Sequence, residues 1–177
     1  MKCIDMEVAL MNYLNYRQNI IVPNVTTGSG LVNFETDLLM IRPSGYAVGV
    51  EIKVSKSDLM ADFKKTQHTD KEFKRGKSSL ERYYGKFRHF YYAVPDNMKQ
   101  IALEVVPSHF GVLYVGMSPK NSHFPYRLYV GEARPAPVMF QHKWSDSDRL
   151  AVARLGAMRI YGLKHTARSK YLKELND

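Results

Sequence analysis

Along residues 5–18 apolar side chains return at helical spacing, with Val8, Leu10, Met11 and Leu14 on one stripe and Asp5 placed to cap the start. Ile20-Ile21-Val22 reads as a short strand ended by Pro23, and Thr27-Gly28-Ser29-Gly30 as a loop. Residues 31–42 and 46–54 read as two strands joined by a turn at Pro43-Ser44-Gly45. Ser57 is expected to cap a helix that runs to about Lys65, with Asp58 in its first turn. An aromatic strand over Phe87–Val94 stops at Pro95, and Asp96 is placed to cap a short helix through Glu104. Phe110–Met117 has the unbroken apolar character of a buried strand. Tyr126–Gly131 reads as a further strand, and Arg134-Pro135-Ala136-Pro137 breaks the chain. Residues 146–162 predict an amphipathic helix with Leu150, Leu155, Met158 and Tyr161 among its apolar positions, and a last helix spans 166–175. This order predicts one α/β domain, a mixed sheet flanked by helices, with a core over residues 1–137 and a C-terminal helical extension over 138–177.

Strand alternation exposes the sharpest chemistry. In the 46–54 strand Val48, Val50, Ile52 and Val54 face one way, into a core, while Gly49, Glu51 and Lys53 face the other. An acid and a base two residues apart thus interrupt a strand that otherwise looks buried, where charge is costly unless paired or bound to a metal. The preceding strand carries Asp37, and a hairpin turning at 43–45 brings it within reach of Glu51. Two converging carboxylates repel unless one is protonated or a cation lies between them. Mg²⁺ suits such a site, being hard and held by one or two carboxylates plus water and phosphate, and Mn²⁺ is expected to substitute for it. Lys53 would add positive charge where a phosphate lies. The plain alternative is a buried ion pair of Lys53 with Glu51 or Asp37. Glu-x-Lys alone says little, since about half of chains this long hold one by chance. The second copy, Glu72-Phe73-Lys74, stands in a polar stretch without strand pattern and reads as a solvated face.

Composition narrows the partner. The chain has 177 residues, 45% of them apolar, which is enough for one domain with a core and too few for two ordinary ones. Twenty-six Lys and Arg face 17 Asp and Glu, a net charge of +9 that favours polyanions. The 12 tyrosines suit base stacking and an aromatic core equally. No stretch has the apolar length to span a bilayer, so no membrane partner is expected. Acids occupy Met1-Lys2-Cys3-Ile4-Asp5-Met6-Glu7 where a signal peptide would be apolar, and Cys3 is the sole cysteine. Together these suggest a reducing cytoplasm.

The spacing of Asp37 from Glu51-Ile52-Lys53 resembles the signature of the PD-(D/E)XK nuclease superfamily. The fuller stretch resembles small stand-alone MmcB-like proteins of bacteria and phages, linked to DNA repair. It comprises Glu35-Thr36-Asp37-Leu38-Leu39, Ser44-Gly45-Tyr46 and Glu51 through Lys65. Phe90-Tyr91-Tyr92-Ala93-Val94-Pro95, Gly111-Val112-Leu113-Tyr114-Val115 and Ala136-Pro137 give weaker support, and the last 40 residues match nothing in the family. Thr36 stands where the superfamily name has proline. The resemblance implies a restriction-endonuclease-like core and a Mg²⁺-dependent deoxyribonuclease. Asp37, Glu51 and the Ile52 carbonyl would bind the metal, and Lys53 would be the catalytic lysine. Many members add an acid from the first helix, for which Glu7 is the candidate here; an exposed helix acid is the equal alternative.

Other features carry less. Nine Lys or Arg lie between Lys64 and Arg88 against three acids, with His68 and His89 alongside, as in a phosphate-gripping flap or a solvated loop. Nine more lie from Arg134 to Lys173, and Arg149, Arg154, Arg159, Lys164, Arg168 and Lys170 either track a nucleic-acid backbone or form the wet face of helices. Trp144 reads as a packing anchor before it reads as a base-stacking platform. His109, His123, His142 and His165 show no metal spacing, Ser78-Ser79 and Thr26-Thr27 lack a base for a hydrolytic triad, and Gly28-Ser29-Gly30 lacks the phosphate-loop lysine. The expected function is a Mg²⁺-dependent nuclease acting on DNA, with a non-catalytic nucleic-acid-binding module as the alternative. The oligomeric state, a homodimer included, stays open.

Overall fold

The computed structural model describes residues 1–65, 78–120, 123 and 127–174, with side chains omitted at 170 and 172–174. Among these residues six strands form one mixed sheet in sequential order: β1 (Ile20–Val25), β2 (Thr36–Ile41), β3 (Ala47–Ile52), β4 (His89–Pro95), β5 (Gly111–Met117) and β6 (Leu128–Arg134). β1–β2 and β2–β3 pair antiparallel, β3–β4 and β4–β5 parallel, and β5–β6 antiparallel. Among the described residues five α-helices accompany the sheet: α1 (Cys3–Tyr13), α2 (Lys56–Asp62), α3 (Ser79–Tyr84), α4 (Lys99–Val105) and α5 (Asp146–Glu174).

Both faces of the sheet are covered, which explains why β3 is buried at every position. On one face Met6, Ala9, Leu10 and Leu14 of the α1 segment pack on Leu38, Met40, Val48, Val50 and Ile52. On the other, Leu39, Ile41 and an aromatic cluster of Phe34, Tyr84, Phe87, Phe90, Tyr92 and Phe110 meet Leu59 of α2, Ala102 of α4 and Val152 of α5. Trp144 belongs to this second core, 4% exposed, its indole Nε1 donating to the Lys86 carbonyl at 2.8 Å. It is a packing anchor. Trp144 and Val152, from the segment after β6, thereby contribute to this core.

Several elements depart from the sequence reading for local reasons. The first helix ends at Tyr13, because Asn15 adopts φ 56 and turns the chain. Asp5 works from inside the first turn, accepting from the Lys2 backbone N–H at 2.9 Å. Pro23 lies within β1, which an edge strand tolerates because one side of its backbone needs no hydrogen bond. Ser55, not Ser57, caps α2, accepting from the Asp58 N–H at 3.2 Å. Asp96 opens a 3-10 turn ahead of α4. Arg134 ends β6, with its guanidinium donating to the Val106, Pro107 and Phe110 carbonyls. α3 has no counterpart in the sequence reading; Ser78 caps it through the Glu81 N–H at 3.1 Å. The two expected C-terminal helices are one, α5, and the stripe differs from expectation: Val152 is buried while Leu150, Met158 and Tyr161 are more than 60% exposed. His68, Tyr126 and Glu72-Phe73-Lys74 lie outside the described residues.

Candidate active site

The turn at Arg42–Tyr46 closes with the Gly45 N–H donating to Arg42 and the Arg42 N–H to Tyr46, both at 2.9 Å, and Gly45 takes φ +85, a conformation that disfavours a side chain. This turn sets the register Leu38↔Val50, so the next position along brings Asp37 opposite Glu51. There the Asp37 side chain replaces the ladder: its Oδ2 accepts from the Ile52 N–H at 2.7 Å. In an extended strand the N–H and C=O of one residue share a side, so the Ile52 carbonyl faces the Asp37 edge as well.

Lys53 follows directly on β3 and keeps its ladder, its N–H donating to the Ala93 carbonyl at 2.9 Å. Its side chain is 5% exposed, and its Nζ lies 2.8 Å from Glu51 Oε1, 3.0 Å from Asp62 Oδ1 and 3.9 Å from Asp58 Oδ1. Val54, expected in the core, is 41% exposed because the strand has ended and the chain turns into α2. The ion pair of Lys53 with Glu51, one of the two readings of the pattern, is therefore formed.

The electrostatics describe a site short of positive charge. Burial first, and then the Asp37 carboxylate, push Glu51 from 4.5 up to about 7 despite the adjacent ammonium. Burial also raises Asp37, against the opposing Ile52 N–H and Lys53. Burial works against the Lys53 charge, but Glu51 and Asp62 outweigh it and hold the ammonium above the usual lysine range. Glu51 Oε2 is buried with no hydrogen-bond partner among the described residues. A lone buried carboxylate oxygen beside a second carboxylate is where a hard cation would be satisfied. Asp37, Glu51 and the Ile52 carbonyl are oxygen donors of the kind a hard cation takes; among the described residues no three His, Cys, Asp or Glu side chains form a preformed cation group.

Asp62, Asp58 and Tyr92 were missed in the sequence. Asp62 is fully buried at the end of α2, its Oδ2 accepting from the Tyr92 hydroxyl at 2.7 Å and its Oδ1 2.5 Å from Lys65 Nζ. A signal existed: Asp62 is three residues after the buried Leu59 and so shares its inward helical face. Glu7 is placed on α1, across the sheet from α2. It makes no ion pair with Lys53; its contact is with Cys3 Sγ at 3.9 Å, and it lines an open cavity of about 550 Å³ with Arg159, Leu163 and Thr166. Burial, then Glu7, Asp37 and Asp58, raise the Cys3 thiol.

Of the supposed flap, residues 66–77 lie outside the described residues. Lys86 donates to the Leu31 carbonyl at 2.7 Å, and Arg88 stacks 4.2 Å over the Tyr46 ring. Arg88 pairs with Ala47 at the start of β3, about 13 Å along the strand from Glu51. That end of the segment is packing at the far side of the sheet. His89 Nδ1 meets the Ala136 carbonyl at 3.0 Å.

No family model matches the chain, and no curated protein does. A solved structure, a protein of unknown function from Silicibacter pomeroyi, is similar in fold. It is 18% identical, with a TM-score of 0.52 over 97% of this chain and 88% of that one.

Proposed function

We propose that this protein is a divalent-metal-dependent deoxyribonuclease with a restriction-endonuclease-like core. The observation that carries the proposal is the buried Glu51 Oε2, without a hydrogen-bond partner among the described residues, on the strand paired with the one that carries Asp37, with the Lys53 ammonium 2.8 Å from the other Glu51 oxygen. The site lies at the C-terminal end of β3, where open α/β sheets gather their ligands. Asp37 and Glu51 would hold Mg²⁺ or Mn²⁺, with the Ile52 carbonyl as a further oxygen ligand. When bound, the ion polarises a phosphate oxygen and lowers the pKa of a coordinated water. Lys53 would supply positive charge beside the phosphate. The net charge of +9 favours a polyanionic substrate, and the motif's resemblance favours DNA.

A second reading rests on one feature. Lys53 is closed between Glu51 and Asp62, at 2.8 and 3.0 Å, as a purely structural ion pair would be. The protein would then be a nucleic-acid-binding module that does not cut. Incubation with labelled duplex, single-stranded and branched DNA and with RNA, in Mg²⁺, Mn²⁺ or EDTA, separates the two. Metal-dependent cleavage lost in Glu51→Gln supports the nuclease, and binding without cleavage of any form leaves the module.

A further inference from the structure

Asp62 is the most deeply buried carboxylate of the cluster, and the proposed hydrolysis gives it no task. Without a metal, Glu51 Oε1 is engaged by Lys53. For Glu51 to turn to a cation, the buried ammonium needs another anion, because an uncompensated buried charge is strongly unfavourable. Asp62 is positioned to be that anion, 3.0 Å from Lys53 Nζ on the α2 side. Its own placement is fixed from two directions, by the Tyr92 hydroxyl of β4 and by Lys65 just beyond α2. Asp58 is a poorer counter-ion, 3.9 Å away with its side chain 50% exposed.

We propose that Asp62 is a positioning residue: it retains the Lys53 ammonium when Glu51 turns to a divalent cation, keeping Lys53 beside the metal instead of on the metal's ligand. The inference rests on the metal-dependent reading of the site. It has a consequence that a merely structural aspartate lacks. With Asp62 neutralised, Lys53 has Glu51 as its main partner and competes with the ion for it, so the penalty disappears once Lys53 itself is removed.

The test is a Mn²⁺ titration of the intact chain without substrate, followed by the electron paramagnetic resonance of free Mn²⁺. Asp62→Asn should bind Mn²⁺ about 10–100-fold more weakly, the range for losing an outer-shell partner. Asp62→Glu should recover part of the loss. In a Lys53→Met background the Asp62→Asn penalty should vanish, a non-additivity expected only of coupled groups. In cleavage, Asp62→Asn should lower kcat and leave KM for DNA unchanged. If Asp62→Asn fails to fold, Tyr92→Phe reads the same effect, since it removes the hydrogen bond that orients Asp62 and keeps every charge; it too should weaken Mn²⁺ binding. Wild-type Mn²⁺ affinity in a folded Asp62→Asn, or in Tyr92→Phe where that is the variant read, overturns the inference alone. So does a penalty that persists in Lys53→Met. A wild type that takes up no Mn²⁺ and cuts nothing overturns the metal-dependent reading, and this inference with it.

Discussion

Glu51 carries two oxygens in unlike company, one on the Lys53 ammonium and one buried without a partner. Its proton affinity follows from that. Burial and then Asp37 raise it from 4.5 to about 7, so between those values the native state holds a proton that the unfolded chain releases. The stability this confers is fully present below 4.5 and is lost as pH rises through about 7. Urea unfolding of the metal-free protein should show stability falling by about 3 kcal/mol across the window, and Glu51→Gln should flatten the fall. Metal uptake needs the ionised carboxylate, so Mg²⁺ affinity and cleavage should rise through the same window. Lys53→Ala tests the other side of the pair. It leaves Glu51 and Asp62 facing each other without the ammonium, a loss of about 3–5 kcal/mol in unfolding measurements. In the nuclease, cleavage disappears with it and Mg²⁺ returns part of the stability by linkage. In a structural ion pair, Mg²⁺ leaves the melting temperature unmoved.

At the scale of elements, β3 is held between two layers, and Gly49 is what lets the aromatic layer approach. A Cβ there would clash with Cδ2 and Cε2 of Phe90 and lie 2.9 Å from Phe87 Cε1. Gly49→Val should therefore cost about 1–3 kcal/mol by overpacking and disturb Glu51 two residues on. α5 shows the opposite situation. No carboxylate occurs between Asp148 and Glu174, while Arg154, Lys164 and Arg168 are exposed and make no ion pair among the described residues. Arg159 is different, since it donates to the Asn24 carbonyl and ties the helix to β1. Replacing Arg154, Lys164 and Arg168 by Gln should leave the melting temperature nearly unchanged. It should flatten the dependence of log DNA affinity on log salt by about 0.9 for each phosphate no longer neutralised, read by fluorescence anisotropy in EDTA. An unchanged slope would assign the cations of α5 to solvation.

For the whole molecule, the central question is whether residues after β6 fold with the rest. The protein has one tryptophan, Trp144, buried in the aromatic core and joined to the β2–β3 turn by its backbone N–H, which donates to the Gly45 carbonyl at 2.9 Å. Its fluorescence therefore reports on the core from within the segment that the sequence pattern marks as an extension. Urea transitions followed by Trp144 fluorescence and by far-ultraviolet circular dichroism should coincide, as for a single cooperative unit. A separate, earlier fluorescence transition would restore the boundary near residue 137. Among the described residues no helix is long and apolar enough to cross a membrane.

The sequence by itself determined what depends on neighbours along the chain. Alternation in β3 placed Glu51 and Lys53 on one face, the Pro43-Ser44-Gly45 turn paired β2 with β3, and apolar runs marked β4 and β5. Those features follow from the two-residue period of a strand and from turn chemistry. Tertiary structure decided the rest. It brought Asp62 of α2 onto Lys53 and the Tyr92 hydroxyl of β4 onto Asp62, contacts set by helix packing and strand order rather than by local spacing. It left Val54, Leu150, Met158 and Tyr161 outside and took Trp144 inside, because burial depends on which surfaces meet and not on hydropathy alone. It gave Ser55 the cap of α2 where Ser57 also had the right chemistry, since a cap requires an extended backbone as well as a hydroxyl, and Ser55 has it with φ −139 and ψ 154.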